Sequence, residues 1–259
     1  MKTFEFDANK YKVASTHQKE WGKRIISEMS IKGNESILDL GCGDGVLTKD
    51  LAELVPNGTV VGIDASENMI KKAKESQANN LTFIVMDIDA INFKNEFDII
   101  FSNATLHWIK DHIRLLSNCY DSLKPSGIIR FNFAGDGNCS NFNAIVQQAM
   151  IFPEFKRYFE NFIWPWFMPK IDDYNRLIQS NNFTEIKTWE ENTDRYFATA
   201  DDMTKWIDQP SLVPFLKVIG DKDKTSFRDM VVDQMIQKTK QPDGRCFETF
   251  RRINIFARK

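Results

Sequence analysis

The residues with most chemistry to offer are a glycine cluster and three aspartates set at the ends of apolar runs. Asp39-Leu40-Gly41-Cys42-Gly43-Asp44-Gly45 follows the apolar run Ser36–Leu40 and opens into a helical run at Val46–Leu54. Glycines at such a junction let the backbone turn tightly and approach a ligand with no Cβ in the way. A strand-to-helix turn that merely needs positive φ would account for one glycine, but not for three at alternate positions after an aspartate. No Lys-Ser or Lys-Thr follows, so this is not a phosphate loop of the GxxxxGK[ST] type, and the third position of a dinucleotide GxGxxG is Val46, with Gly45 one residue early. Asp39 would repel a pyrophosphate and suits a ligand with an ammonium group. Asp64 ends the next apolar run, where a carboxylate accepts hydrogen bonds from ribose hydroxyls. Asp87 ends the third, where the amino group of an adenine would lie.

A second cluster is Ser102-Asn103-Ala104-Thr105-Leu106-His107-Trp108, after a fourth apolar run. It would face the reacting end of such a ligand. His107 there could be a general base, a donor that orients a carboxylate, or a packed ring. His112, a few residues on, reads as a surface residue. Cys42, Cys119, Cys139 and Cys246 are scattered, with no CxxC pair. Nothing beside Cys42 would activate a thiolate, so it reads as a small packed residue. No clustered His, Cys and carboxylate set has ligand spacing, so no metal is expected.

The elements that must position these groups alternate. Strands are expected at Ser36–Leu40, Thr59–Asp64, 81–86, 97–102 and 127–133, and helices at Val46–Leu54, 67–76 and 111–123. A later helix (172–180) precedes strands at 184–189 and 253–257. Strands this apolar are buried on both faces, the parallel-sheet case, and the alternation implies right-handed βαβ units. The fold class expected is α/β: a Rossmann-like, doubly wound, seven-stranded sheet with its last strand antiparallel. The segments 134–170 and 190–249, aromatic-rich and read as helical, would form a cap inserted at the carboxyl edge. No Gly/Ser/Pro linker interrupts the chain, so residues 1–259 are read as a single domain, with a ligand-binding core over about 30–133.

ILDLGCGDG, VVGIDASENMI, IVMDIDA and FDIIFSNATLHWI, in that order, resemble the successive motifs of class I S-adenosylmethionine-dependent methyltransferases. The resemblance covers roughly residues 36–133. It implies that S-adenosylmethionine is the cofactor and S-adenosylhomocysteine the product. It also implies that Asp39, Gly41, Cys42 and Gly43 border the methionyl part, Asp64 and Ala65 the ribose, and Asp87 the adenine, with Met69 and Ile88 packing on that ring and Ser102 and Asn103 completing the site. The SNATLHWI segment narrows the resemblance to trans-aconitate methyltransferase, malonyl-acyl-carrier-protein methyltransferase and juvenile-hormone-acid methyltransferase. Tyr11, Gln18 and Trp21-Gly22 resemble the leading helix that folds over the cofactor in that group.

Those relatives methylate carboxylates. A carboxylic acid with pKa near 4 is already ionised at neutral pH and needs no general base. It needs alignment and a dry site, because attack of an anion on a sulfonium neutralises charge. His107 and Trp108 are then expected to position the acceptor. The run 159–167 (FENFIWPWF) would wall the pocket through Trp164 and Trp166, or else bury its rings in the cap itself. Further anionic groups on the substrate would call for arginine. Arg176, Arg195, Arg228, Arg245, Arg251 and Arg252 are the candidates, with Arg195 and Arg245 placed first because they lie in inserted segments.

Composition bounds the rest. The 259 residues hold 34 Lys and Arg against 36 Asp and Glu, a near balance that argues against a nucleic-acid or polybasic membrane partner. No run approaches about 18 apolar residues, and MKTFEFDANKYK has no apolar leader, so a soluble, cytoplasmic protein is expected. A small-molecule or carrier-bound acid is the expected partner, with the chain a monomer or dimer. Methylation of another O, N or S acceptor is the alternative. A nicotinamide-dependent oxidoreductase is a more remote one, because it needs the GxGxxG that is absent. The surplus of rings, 21 Phe and 6 Trp, is expected in the cap as a lid that keeps water off a carboxylate.

Overall fold

The computed structural model describes residues 16–76 and 78–259. Helix α1 (Thr16–Ser27) leads into β1 (Ser36–Leu40), α2 (Val46–Leu54), β2 (Thr59–Asp64), α3 (Glu67–Ala73), β3 (Leu81–Val85), β4 (Phe97–Asn103), α4 (His112–Ser122) and β5 (Leu123–Ala134). After α5 (Ser140–Met150) come α6 (Ile171–Gln179), β6 (Thr184–Asn192), β7 (Arg195–Phe197), α7 (Ala200–Trp206), α8 (Val213–Leu216), α9 (Asp221–Thr239), β8 (Cys246–Glu248) and β9 (Arg251–Arg258). Seven strands make one sheet in the order β3-β2-β1-β4-β5-β9-β6. The first five are parallel, and β9 slots between β5 and β6, antiparallel to both. This is the doubly wound sheet expected.

Both faces of the central strands are buried, which is why they read as continuous apolar runs rather than alternating ones. Leu38 and Leu40 of β1 pack with Phe131, Phe133, Tyr174 and Ile253 on one side. Ile37, next to them in sequence, packs on the other with Ile25, Leu51 and Phe101, beneath α1 and α2. Two short helices start where side chains supply the missing acceptors: Ser66 accepts from the Met69 N–H at 3.3 Å and Asp111 from the Arg114 N–H at 3.0 Å.

Strand β5 begins earlier than its sequence suggests. Leu123 pairs with Phe97 and Ile128 with Ile99, so Lys124-Pro125-Ser126-Gly127 bulges out between them, with Ser126 at φ +67°. Pro125 has no N–H for the ladder, and the bulge accommodates it. The inserted segments also differ from an all-helical cap. β7 and β8 pair as a two-stranded antiparallel ribbon, and residues 163–170 form no helix. Cap helices α5, α7, α8 and α9 enclose a separate apolar cluster that includes Phe142, Trp166, Trp206, Phe215 and Phe227. The buried Glu248 of β8 accepts from the Phe142 N–H at 2.9 Å and the Asn141 N–H at 3.2 Å, which fixes the start of α5.

His112 corrects an expectation: it is 2% exposed rather than on the surface. Its Nε2 lies 3.0 Å from the Leu106 carbonyl, which can only accept, so Nε2 carries the proton and Nδ1 accepts from the Tyr174 hydroxyl at 3.0 Å. Burial pushes its pKa down from 6.5 to about 4. A depressed folded-state pKa means the stabilisation is complete above pH 6.5 and is lost as pH falls through 4. Tyr174→Phe, which leaves Nδ1 without its donor, is expected to cost about 1–2 kcal/mol in urea unfolding at pH 7.5. The wild-type denaturation midpoint should fall between pH 6.5 and 4.

Candidate active site

The carboxyl ends of β1, β2 and β4 converge on the loop 41–45. Gly41 and Cys42 both donate backbone N–H to the Ile63 carbonyl, at 2.8 and 2.9 Å, which ties the loop to the end of β2. Gly41 sits at φ +73°, and a Cβ there would meet Thr105 Cγ2 at 2.1 Å; Gly43, at φ +55°, would point a Cβ into open space. One glycine is thus required by close packing and the other keeps a groove clear. Gln18, Lys19, Asp39, Asp44, Asn103 and Thr105 border that groove together with the loop.

Asp39 is 3% exposed, and the Thr48 hydroxyl donates to its Oδ2 at 2.7 Å. Burial pushes its pKa up to about 7; the Thr48 bond opposes this and the neighbouring Asp64 charge adds to it. Such a carboxylate gains by meeting a cation. Asp64 is aimed by two backbone donors, Gly43 N–H at 3.0 Å on one oxygen and Ser66 N–H at 2.9 Å on the other. Asp87 caps the short turn Ile88–Ala90 by accepting from the Asp89 N–H at 2.9 Å. Met69 and Ile88 are buried. Helix α1 closes the groove from above: Lys19 pairs with Asp44 at 2.6 Å, and Asn103 donates through Nδ2 to the Gln18 carbonyl at 2.8 Å. Among the described residues, no donor reaches the buried side-chain oxygens of Gln18 and Asn103. An ammonium beside Asp39, a diol beside Asp64 and a donor for these two oxygens together describe an amino-acid nucleoside, which fits the donor set present.

Beyond β4, a short turn at Leu106–Trp108 carries His107 and Trp108. His107 Nδ1 is buried with no partner among the described residues, and burial, aided by the Arg252 and His112 charges, holds its pKa well below the usual imidazole value. The segment after 163 docks on this turn: Phe167 N–H donates to the His107 carbonyl at 2.8 Å and Lys110 Nζ to the Trp164 carbonyl at 2.6 Å. Trp108 and Trp166 meet edge to face at 5.7 Å, and Trp164 packs on Trp166 at 5.6 Å.

Several sequence expectations land elsewhere. Ser102 is fully buried and donates to the Leu40 carbonyl at 2.8 Å, a cross-strand tie rather than a groove group. Cys42 faces Ile70, Ala73 and Phe83, as a packed residue would. Arg195 is paired with Glu20, and Arg245 with Asp243 at 2.7 Å while stacked on Tyr196; neither borders the groove. Phe155 and Phe159 pack on Phe227, and Phe162 on Phe215, so much of the ring surplus builds the cap's own core. Tyr11 lies outside the described residues. Thr48 and Thr105 escaped the sequence reading because a hydroxyl in a helix or turn carries no pattern of its own.

Strand order, the reversed ninth strand, the glycine loop and three strand-end aspartates are arranged as in the class I methyltransferase fold. The comparisons agree. Residues 37–127 match the family described as "Methyltransferase domain". The chain is 27% identical over 226 residues to a trans-aconitate 2-methyltransferase of Deinococcus radiodurans, covering 85% of each protein. It is 33% identical over 152 residues to malonyl-[acyl-carrier protein] O-methyltransferase 1 of Ilyobacter polytropus, covering 58% of this chain but only 53% of that one. The fold is shared with phosphoethanolamine N-methyltransferase 2 of Haemonchus contortus solved with S-adenosyl-L-methionine: TM-score 0.61, 20% identity, 97% of this chain and 56% of that one. Residues 37–127 thus carry a methyltransferase domain, and the matches support an enzyme whose methyl donor is S-adenosylmethionine.

Proposed function

We propose that this enzyme methylates a carboxylate on a small acid or a carrier-bound acyl group. The observation that carries this reading is His107. A buried imidazole with its pKa held below the usual value is a weaker base, so it suits an acceptor that arrives already ionised better than an alcohol that must lose a proton. The relatives named for trans-aconitate and for malonyl-[acyl-carrier protein] support it, since both names are those of acids.

Residues of the core, about 30–133, hold the cofactor. Asp39 takes the ammonium and Asp64 the ribose diol, with Ala65 beside it; Asp87 faces the adenine, which Met69 and Ile88 pack against. Gly41 and Gly43 shape the floor, and Gln18 and Asn103 supply acceptors under α1. When bound, S-adenosylmethionine supplies an electrophilic methyl group on a cationic sulfur. The protein contributes placement and dryness: His107 and Trp108 set the acceptor carboxylate, and Trp164 and Trp166 of the inserted segment 134–170 exclude water around it. The test is transfer of labelled methyl groups to a panel of carboxylic acids and acyl thioesters. Product label released by mild base as methanol is expected; label stable to base, on amines or aromatic hydroxyls, would refute carboxylate methylation.

A further inference from the structure

We propose that the chain carries a second ligand site, at the opposite end of the sheet from the glycine loop, which takes a flat-ringed organic anion.

The site is a groove of about 850 Å³, within the usual range of small-molecule pockets, between the turn that follows α1 and the 124–127 bulge of β5. It shares no lining residue with the groove beside Asp39. Its floor follows from strand register. Arg130 of β5 pairs with Phe256 of β9, which pairs with Lys187 of β6. Residues level with one another across a sheet share a face, so one ring lies between two cations. Trp189, two residues along β6 from Lys187, lies on the same face and is 39% exposed. Both rings already attract cations: the Arg130 guanidinium lies 4.8 Å from the centre of the Trp189 ring, and Lys187 Nζ 5.9 Å from that of Phe256.

The charges in the groove do not cancel. Its carboxylates are engaged: Glu28 pairs with Arg130 at 3.0 Å and Asp98 with Lys124 at 2.7 Å. Glu35 turns back to accept the backbone N–H groups of Lys32, Gly33 and Asn34, at 2.6, 2.9 and 3.1 Å. Among the described residues, no carboxylate forms an ion pair with Lys32 or Lys187, both of which are exposed. Arg130 is 4% exposed, and burial outweighs Glu28 to hold its pKa below the usual guanidinium value, so a further anion nearby would favour its charged form. An inorganic anion would satisfy the lysines and leave both rings wet. A neutral aromatic would cover the rings and leave the charges unmatched. A flat ring bearing a phosphate or carboxylate does both.

The experiment is titration calorimetry on the full chain saturated with S-adenosylhomocysteine, so that the cofactor groove is filled. The probes are 1-naphthyl phosphate and 1-naphthoate, whose order of affinity tells the preferred head group. At least one should bind about tenfold or more tighter than 1-naphthol, which lacks the charge, and than inorganic phosphate, which lacks the ring. Lys187→Gln and Trp189→Leu, both at exposed positions, should each weaken the tighter probe about 5- to 10-fold. Lys238→Gln, at an exposed position of α9, should not, and S-adenosylhomocysteine affinity should be the same in all three variants. Probes that bind no better than naphthol or phosphate would overturn the proposal. So would binding that neither groove variant alters, or that Lys238→Gln weakens as much as Lys187→Gln does.

Discussion

Replacing Asp39 by Asn is expected to weaken S-adenosylmethionine binding about 100-fold or more, measured by titration calorimetry at pH 8, and at the same time to stabilise the unliganded protein. The two effects share one cause. The carboxylate is held out of water with Thr48 as its side-chain donor, and its pKa is pushed up to about 7. Against an unfolded value of 3.8, the folded state binds this proton more tightly, so its favourable contribution is complete below pH 3.8 and is lost as pH rises through 7. Above pH 7 the wild type therefore carries a buried charge that the amide avoids, a difference of up to about 4 kcal/mol. The melting temperature of the unliganded variant should exceed that of the wild type by several degrees at pH 8, and the gap should close towards pH 4. Cofactor affinity of the wild type should weaken roughly tenfold per pH unit below 7, and that of the variant should not change with pH. A variant that is neither tighter-folded nor weaker-binding would refute the role given to Asp39.

Gly41→Ala should destabilise the fold strongly. Its Cβ would stand 2.1, 2.5 and 2.6 Å from Thr105 Cγ2, Oγ1 and Cβ, at a backbone φ of +73°. Overpacking and left-handed strain together amount to about 3 kcal/mol. Thr105 also donates to the Gly41 carbonyl at 3.1 Å, so the loop cannot retreat without losing that bond. Chemical denaturation should show the loss, and the double variant Gly41→Ala with Thr105→Gly should recover the steric part but not the strain. Gly43→Ala makes the opposite case. No atom lies within 4 Å of its Cβ, so the fold should lose only about 1 kcal/mol while the methyl group intrudes on the cofactor groove and affinity collapses. Equal effects at Gly41 and Gly43 would contradict this division of labour.

What could be read in advance was local. The glycine loop with its flanking strand and helix, and Asp64 and Asp87 at the ends of the next two strands, are features of short stretches whose period and punctuation show in the residues themselves. Contacts made by distant pairing were not visible. Asn132 and Arg252 meet only because β9 pairs with β5 across 120 positions. Ranking arginines by membership of an insertion therefore favoured Arg195 and Arg245, which the fold spends on surface ion pairs. His112 opens an amphipathic helix, and which face its first turn presents depends on Tyr174 of α6, far along the chain. The abundance of rings in 159–167 shows in the sequence, but only packing against Phe215 and Phe227 decides which of them face into a core of their own.

The position of β9 has a bearing on how the protein is made. Strand β6 touches the sheet only through β9. On a ribosome, residues 184–192 emerge long before 251–258, and until those are synthesised β5 presents an open edge and β6 has nowhere to dock. The five parallel strands with the glycine loop can assemble as translation proceeds, whereas the closing strand, with Arg252 and Asn254, is added last. A nascent chain stalled before residue 251 would carry a recognisable glycine loop beside an unsealed, aggregation-prone sheet, so the interval between those two stages is when this enzyme most needs chaperone protection.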